Sequence, residues 1–208
     1  MERALRKGKS VASPRVLQFK VTLLEVKPTV WRRFQVPEEY NFWDLHVAIQ
    51  DVMGWQDYHL HEFRIAEIGS GPPIVVGIPD DEFESGHETV PGWQIPVIRY
   101  LSEPGQTARY EYDFGDGWEH EVLLEALALA QEGTVYPCCL SGERACPPED
   151  CGGPYGYAEF LEAIGDPGHP SHKELLEWVG GEFVADRFDP KQVGFDDPKQ
   201  RWEIAFSE

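Results

Sequence analysis

Nothing in this chain approaches the roughly 18 consecutive apolar residues that a membrane-spanning helix needs. The first residues carry basic side chains with no apolar run behind them, so they do not read as a secretory signal. A soluble, cytoplasmic protein without membrane attachment is expected. Cysteine is scarce, at 4 in 208 residues, too few for the disulfide scaffold of a small secreted domain. Positive charge is the larger deficit: 18 Lys and Arg stand against 37 Asp and Glu, a formal net charge of −19. A general nucleic-acid coat is thereby excluded for the body, because such proteins need a basic face to displace counterions from phosphate. The chain also lacks a phosphate-binding glycine loop, a dinucleotide fingerprint and a nucleophile elbow.

The charge that is present is uneven. Residues 1–20 hold six basic residues (Arg3, Arg6, Lys7, Lys9, Arg15 and Lys20) against Glu2 alone, a net +5. The rest holds 12 basic and 36 acidic residues, a net −24. Residues 1–14 show no apolar periodicity and close on Pro14, which predicts a mobile basic tail. Weak, salt-sensitive contact with nucleic acid would suit that tail, an ordinary solubilising terminus being the plainer reading. Residues 15–208 read as one domain, long enough to bury a continuous core.

Period-two patterning starts at Val16, with Leu17, Phe19, Val21 and Leu23 on one face. A second extended piece runs from Val30 to Val36. Asn41 reads as a helix cap ahead of Phe42, Leu45, Ile49, Val52 and Met53 at helical spacing, with Gly54 as the stop. His59, His61, Phe63 and Ile65 then alternate, predicting a strand that carries both histidines on one side. Residues 69–92, with five Gly and four Pro around Asp80–Asp81–Glu82, predict an irregular, mobile insertion. Thr107 to Tyr112 and Trp118 to Glu125 predict a β-hairpin about Asp113-Phe-Gly-Asp116-Gly, with Trp118, His120, Val122 and Leu124 facing inward. Tyr136 to Tyr157 is too rich in Pro and Gly for regular structure. Short helices follow at Ala158–Ile164 and Lys173–Val179, the latter capped by Ser171, and then turns. The fold class is α+β: an antiparallel sheet with a hairpin, packed by one main helix and short C-terminal helices.

Three segments hold residues suited to chemistry. Cys138, Cys139, Cys146 and Cys151 fall within fourteen positions, and soft thiolates suit a structural zinc, with His120 or Cys138 completing a tetrahedral set. Gaps of six and four residues between Cys139, Cys146 and Cys151 are wider than a zinc-finger knuckle, and small buried thiols in a loop fit the same residues. The hairpin turn offers Asp113, Asp116 and His120, acid–base or metal-binding groups in a place where Asp and Gly also satisfy the turn itself. Its Asp-Phe-Gly lacks every companion motif of a protein kinase. His59 and His61 are spaced to chelate from a strand, or to hydrogen-bond within the core. Glu149 and Asp150, held between Pro148 and Cys151, would make four converging carboxylates if they reach Asp113 and Asp116.

These stretches together resemble the plasmid pRiA4b ORF-3-like family, found on plasmids, as passengers of insertion elements and in bacterial and archaeal chromosomes. The resemblance rests on Lys27-Pro-Thr-Val-Trp31-Arg32-Arg33, on Leu45-His46 through Gly54-Trp55 to His59-Leu60-His61-Glu62-Phe63, and on Tyr110-Glu-Tyr112-Asp113-Phe114-Gly115-Asp116-Gly-Trp118-Glu-His120. Pro137 to Tyr157, with Ala145-Cys146-Pro-Pro-Glu149-Asp150-Cys151-Gly152-Gly153, completes it, together with Phe188-Asp189-Pro190 and Phe195-Asp196. It implies a mobile-element association rather than a defined reaction. Some members bear a resolvase-like name, for which this chain shows no serine- or tyrosine-recombinase arrangement. It further implies that the hairpin turn and the Pro-Pro-Glu-Asp loop are the defining surface, and that Cys139, Cys146 and Cys151 are the sulfur trio; with inward-facing His120 as a fourth ligand, these would hold a structural zinc.

The expectation is a non-catalytic binding module. Its acidic groove would be lined by Asp113, Asp116, Glu149, Asp150, Tyr112, Trp118, His59 and His61, and would take a basic protein or peptide. The alternative is a metal-dependent hydrolase or nuclease built on His59, His61, Asp113, Asp116 and His120.

Overall fold

A computed structural model describes residues 14–66, 72–79 and 88–206. The basic tail and the acidic run at 80–82, both expected to be mobile, lie outside the described residues apart from Pro14. The elements run β1 (Arg15–Leu23), β2 (Trp31–Pro37), α1 (Phe42–Met53), β3 (His61–Ile65), β4 (Ile74–Gly77), β5 (Thr89–Pro91), β6 (Thr107–Tyr112), β7 (Trp118–Leu129), β8 (Cys138–Glu143), α2 (Gly153–Gly165), α3 (His172–Trp178) and α4 (Pro198–Phe206). All the strands join one sheet in the order β5-β4-β3-β6-β7-β1-β2-β8. Every pairing is antiparallel except β4 with β5. The α+β expectation holds.

One face of the sheet is apolar, because alternate residues of each strand point to it: Leu17, Phe19, Val21, Phe34, Val36, Phe63, Tyr110, Val122 and Leu124 are all fully buried. Each large apolar side chain removed from water contributes about 2 kcal/mol. Helix α1 covers this face with Phe42, Leu45, Ile49 and Val52. Its start is the predicted one: Asn41 accepts from the Asp44 N–H at 2.9 Å, and Asp44 accepts from the Asn41 N–H at 3.1 Å, a closed capping box. Gly54, at φ 87°, ends it in the left-handed conformation that glycine adopts without penalty. The opposite sheet face is wet and polar, where Arg33 grips Glu125 through Nε and Nη2 at 2.6 and 2.7 Å.

Several expectations are corrected. Strand β3 begins at His61, so His59 lies in the loop before it and the two histidines do not share a face. The insertion at 69–92 contains β4 and β5. The Pro/Gly-rich segment after Tyr136 contains β8, an edge strand that escapes a pattern reading because it pairs only with β2, far back in the chain. Helix α2 starts at Gly153, and Ser171 precedes α3 without a side-chain capping bond. The C-terminal stretch, expected to hold only turns, ends in α4. No helix among the described residues is long and apolar enough to cross a membrane.

Candidate functional site

Segments 55–60, 113–117 and 146–153 meet around the β6–β7 turn. The Asp113 N–H donates to the Leu60 carbonyl at 3.0 Å, fixing the turn against the approach to β3. Asp113 holds φ 57°, a left-handed conformation that Asp tolerates better than most residues. Its Oδ1 accepts from the N–H groups of Gly115 and Asp116 at 3.0 and 3.3 Å. Its Oδ2 is left facing His59 Nε2 at 3.6 Å.

The Pro-Pro-Glu-Asp loop arrives from the other side. The Trp55 indole N–H donates to the Pro147 carbonyl at 2.9 Å, and the Gln56 N–H donates to Glu149 Oε2 at 2.9 Å. Burial and the neighbouring Glu149 carboxylate raise Tyr112 well above its ordinary value, so its hydroxyl keeps its proton and donates to Glu149 Oε1 at 2.5 Å. Asp150, at φ 58°, then places Oδ1 3.1 Å from His59 Nε2. The Gly152 N–H donates to Asp116 Oδ2 at 3.1 Å. A Cβ on Gly153 would stand 2.3 Å from the Asp116 carbonyl oxygen, so the close seating of loop on turn requires glycine there.

Of the residues singled out in the sequence, Asp113, Asp116, Glu149, Asp150, Tyr112 and His59 therefore come together. Among the described residues, no Lys or Arg forms an ion pair with any of the four acids. Tyr112, Trp118 and His61 do not line this surface; they are 0%, 1% and 2% exposed, inside the core, and Tyr112 meets the loop only through its hydroxyl. His120 is also interior, with Nδ1 3.2 Å from the Tyr110 carbonyl. Among the described residues, two groups of three or more His, Cys, Asp or Glu bring their ligand atoms within 4.8 Å of one another: His59 with Asp113 and Asp150, and His46 with Asp57 and His61. Neither contains a sulfur, so Cys139, Cys146, Cys151 and His120 are not gathered around one point. Cys139 Sγ lies against the Arg33 carbonyl at 3.7 Å. Burial, opposed by nearby Arg32, pushes the Cys139 thiol up to about 11, and burial pushes Cys151 up to about 12. Both thiols stay protonated at neutral pH, unlike a reactive thiolate.

Sequence reasoning did not find the second group. The His46 and His61 rings stack at 3.4 Å and 8°. An ion shared by rings stacked this way would sit well outside both ring planes, where the nitrogen lone pairs do not point. The arrangement is instead a hydrogen-bond chain. Gln50 Nε2 donates to the Tyr110 hydroxyl at 2.9 Å, that hydroxyl meets His46 Nδ1 at 2.8 Å, and His46 Nε2 meets Asp57 Oδ1 at 2.8 Å. A carboxylate only accepts, which assigns the neutral ring's proton to Nε2. Arg201 of α4 lies over the chain's end, 3.4 Å from Asp57, 3.5 Å from Asp51 and 2.8 Å from Asp196. The only signal in the sequence is a histidine within the apolar stripe of α1.

The chain matches the family model described as plasmid pRiA4b ORF-3-like protein over residues 15–193. The uncharacterized protein y4hQ of Sinorhizobium fredii is 39% identical over 191 residues, covering 90% of this chain and 94% of that protein. The crystal structure of a protein of unknown function, MM3350 from Methanosarcina mazei Go1, superposes with a TM-score of 0.78 at 40% identity, covering 88% of this chain and 99% of the other.

Proposed function

The chain belongs to the plasmid pRiA4b ORF-3-like family, and from that premise we propose that it is a mobile-element accessory protein, a non-catalytic binding module whose acidic face receives a basic protein or peptide. The observation that carries this reading is the convergence of Asp113, Asp116, Glu149 and Asp150 with no Lys or Arg paired to them among the described residues. Asp150 also borders a groove of about 620 Å³ between α2 and α3. It is lined by buried Phe160, half-buried Leu175 and exposed Trp178, together with exposed Glu159, Glu162 and Glu174. Acids beside these apolar side chains match a segment that carries both Lys or Arg and large apolar residues, charge steering the encounter and the apolar side chains taking the anchor.

The rival hydrolase reading is supported by fewer residues than its sequence set, because His61 and His120 are interior and Asp116 Oδ2 is engaged by the Gly152 N–H. A synthetic amphipathic Lys/Leu peptide tests the proposal by fluorescence anisotropy. Saturable binding is expected that weakens with salt and is lost in a Glu159→Lys, Glu174→Lys double variant. Equal binding of a Glu/Leu peptide of the same pattern would overturn it.

A further inference from the structure

We infer that His59, Asp113 and Asp150 form a binding site for one divalent transition-metal ion. The site does not depend on the basic partner proposed above. Three separate segments each contribute one donor, and each donor is aimed by contacts of its own. His59 packs its ring edgewise on Tyr112, with centroids 5.8 Å apart. Asp113 is held by the turn N–H groups on its other oxygen. Asp150 follows Glu149, which Tyr112 and Gln56 anchor.

The spacing suits a metal better than it suits a hydrogen-bonded triad. His59 Nε2 stands 3.1 Å from Asp150 Oδ1 and 3.6 Å from Asp113 Oδ2. Bonds of about 2.0–2.2 Å to nitrogen and oxygen put neighbouring ligands of a tetrahedral ion about 3.3–3.6 Å apart, one separation lying at the upper end of that range and the other just below it. A single imidazole nitrogen bears one proton at most and serves one of the two carboxylates; an ion serves both. Charge points the same way, since no Lys or Arg among the described residues neutralises these acids.

One imidazole with two carboxylates selects a first-row ion such as Zn²⁺ or Mn²⁺ over Mg²⁺ or Ca²⁺, which prefer oxygen alone. The side chains of His59, Asp113 and Asp150 are 30%, 12% and 65% exposed, so the remaining coordination positions open to water. Three protein donors leave such an ion accessible from solvent, unlike a structural zinc closed by four protein ligands.

The test uses the full chain, stripped of metal by a chelator. Mn²⁺ is titrated in and followed by loss of the free-ion paramagnetic resonance signal, and Co²⁺ is followed by visible absorption. One ion per chain is expected, bound at least about tenfold more weakly by His59→Gln and by Asp150→Asn. Cys139→Ser and Cys146→Ser should leave the affinity unchanged, and the Co²⁺ spectrum should lack thiolate bands. If His59→Gln alters the far-ultraviolet circular dichroism, the exposed Asp150→Asn decides alone. Absence of saturable uptake, uptake that the interpretable variants leave unchanged, or thiolate bands lost in the cysteine variants would each overturn the site. Peptide binding is measured separately, so either idea can fail without the other.

Discussion

His120 is fully buried, and burial pushes its imidazole down to about 4. In the unfolded chain it titrates near its ordinary value of about 6.5. Between those two values the unfolded state takes a proton that the folded state refuses, so stability falls as pH falls through that window, by up to about 1.4 kcal/mol per pH unit. His61, lowered by burial and by His46, acts in the same direction. Asp51 acts in the opposite one: burial raises it to about 6, so its folded form holds a proton that the unfolded chain has released. Comparing wild type with His120→Leu isolates the first effect. Urea unfolding at pH 7 and pH 5 should show the wild type losing more stability than the variant, and equal losses would refute the assignment. The inward alternation of Trp118, His120 and Val122 was legible in the sequence as period two. The fate of His59 was not, because two histidines at i and i+2 share a face only inside a strand, and β3 starts at the second of them.

Seating of the Pro-Pro-Glu-Asp loop on the β6–β7 turn depends on Gly153, at φ 68° and without room for a Cβ against Asp116. Gly153→Ala should cost about 1–3 kcal/mol and free the Gly152 N–H from Asp116, seen as faster hydrogen exchange at that amide. Gly165→Ala, with nothing within 4 Å of its added Cβ, should be neutral by the same measurements, and similar losses in both variants would remove the steric explanation. The hairpin and α1 were legible in the sequence because turn chemistry and a capping box are local signals. Strands β4, β5 and β8 were not, because short edge-side strands are defined by their partners rather than by their own pattern. The meeting of the four acids was conditional in the sequence. It rests on long-range bonds from Trp55, Gln56 and Tyr112 that no local pattern encodes.

Across the whole molecule, α4 closes the fold beyond the residues that match the family model. Phe206 packs against Trp43 and Trp93, with centroids 5.5 and 5.2 Å apart, and Arg201 spans Asp51, Asp57 and Asp196. Removing residues 198–208 should lower stability by about 2–4 kcal/mol, read as a lower urea midpoint with circular dichroism otherwise retained. An unchanged midpoint would mean that α4 merely rests on the surface. The donors at 59, 113 and 150 lie on segments that only the finished sheet brings to one place, so the unfolded chain presents no such site. Whatever occupies it binds the native state alone and is thermodynamically part of folding. Each tenfold rise in free ligand beyond its Kd adds about 1.4 kcal/mol to the unfolding free energy, so a rise in the thermal midpoint with ion concentration reports occupancy of the site without any assay of activity.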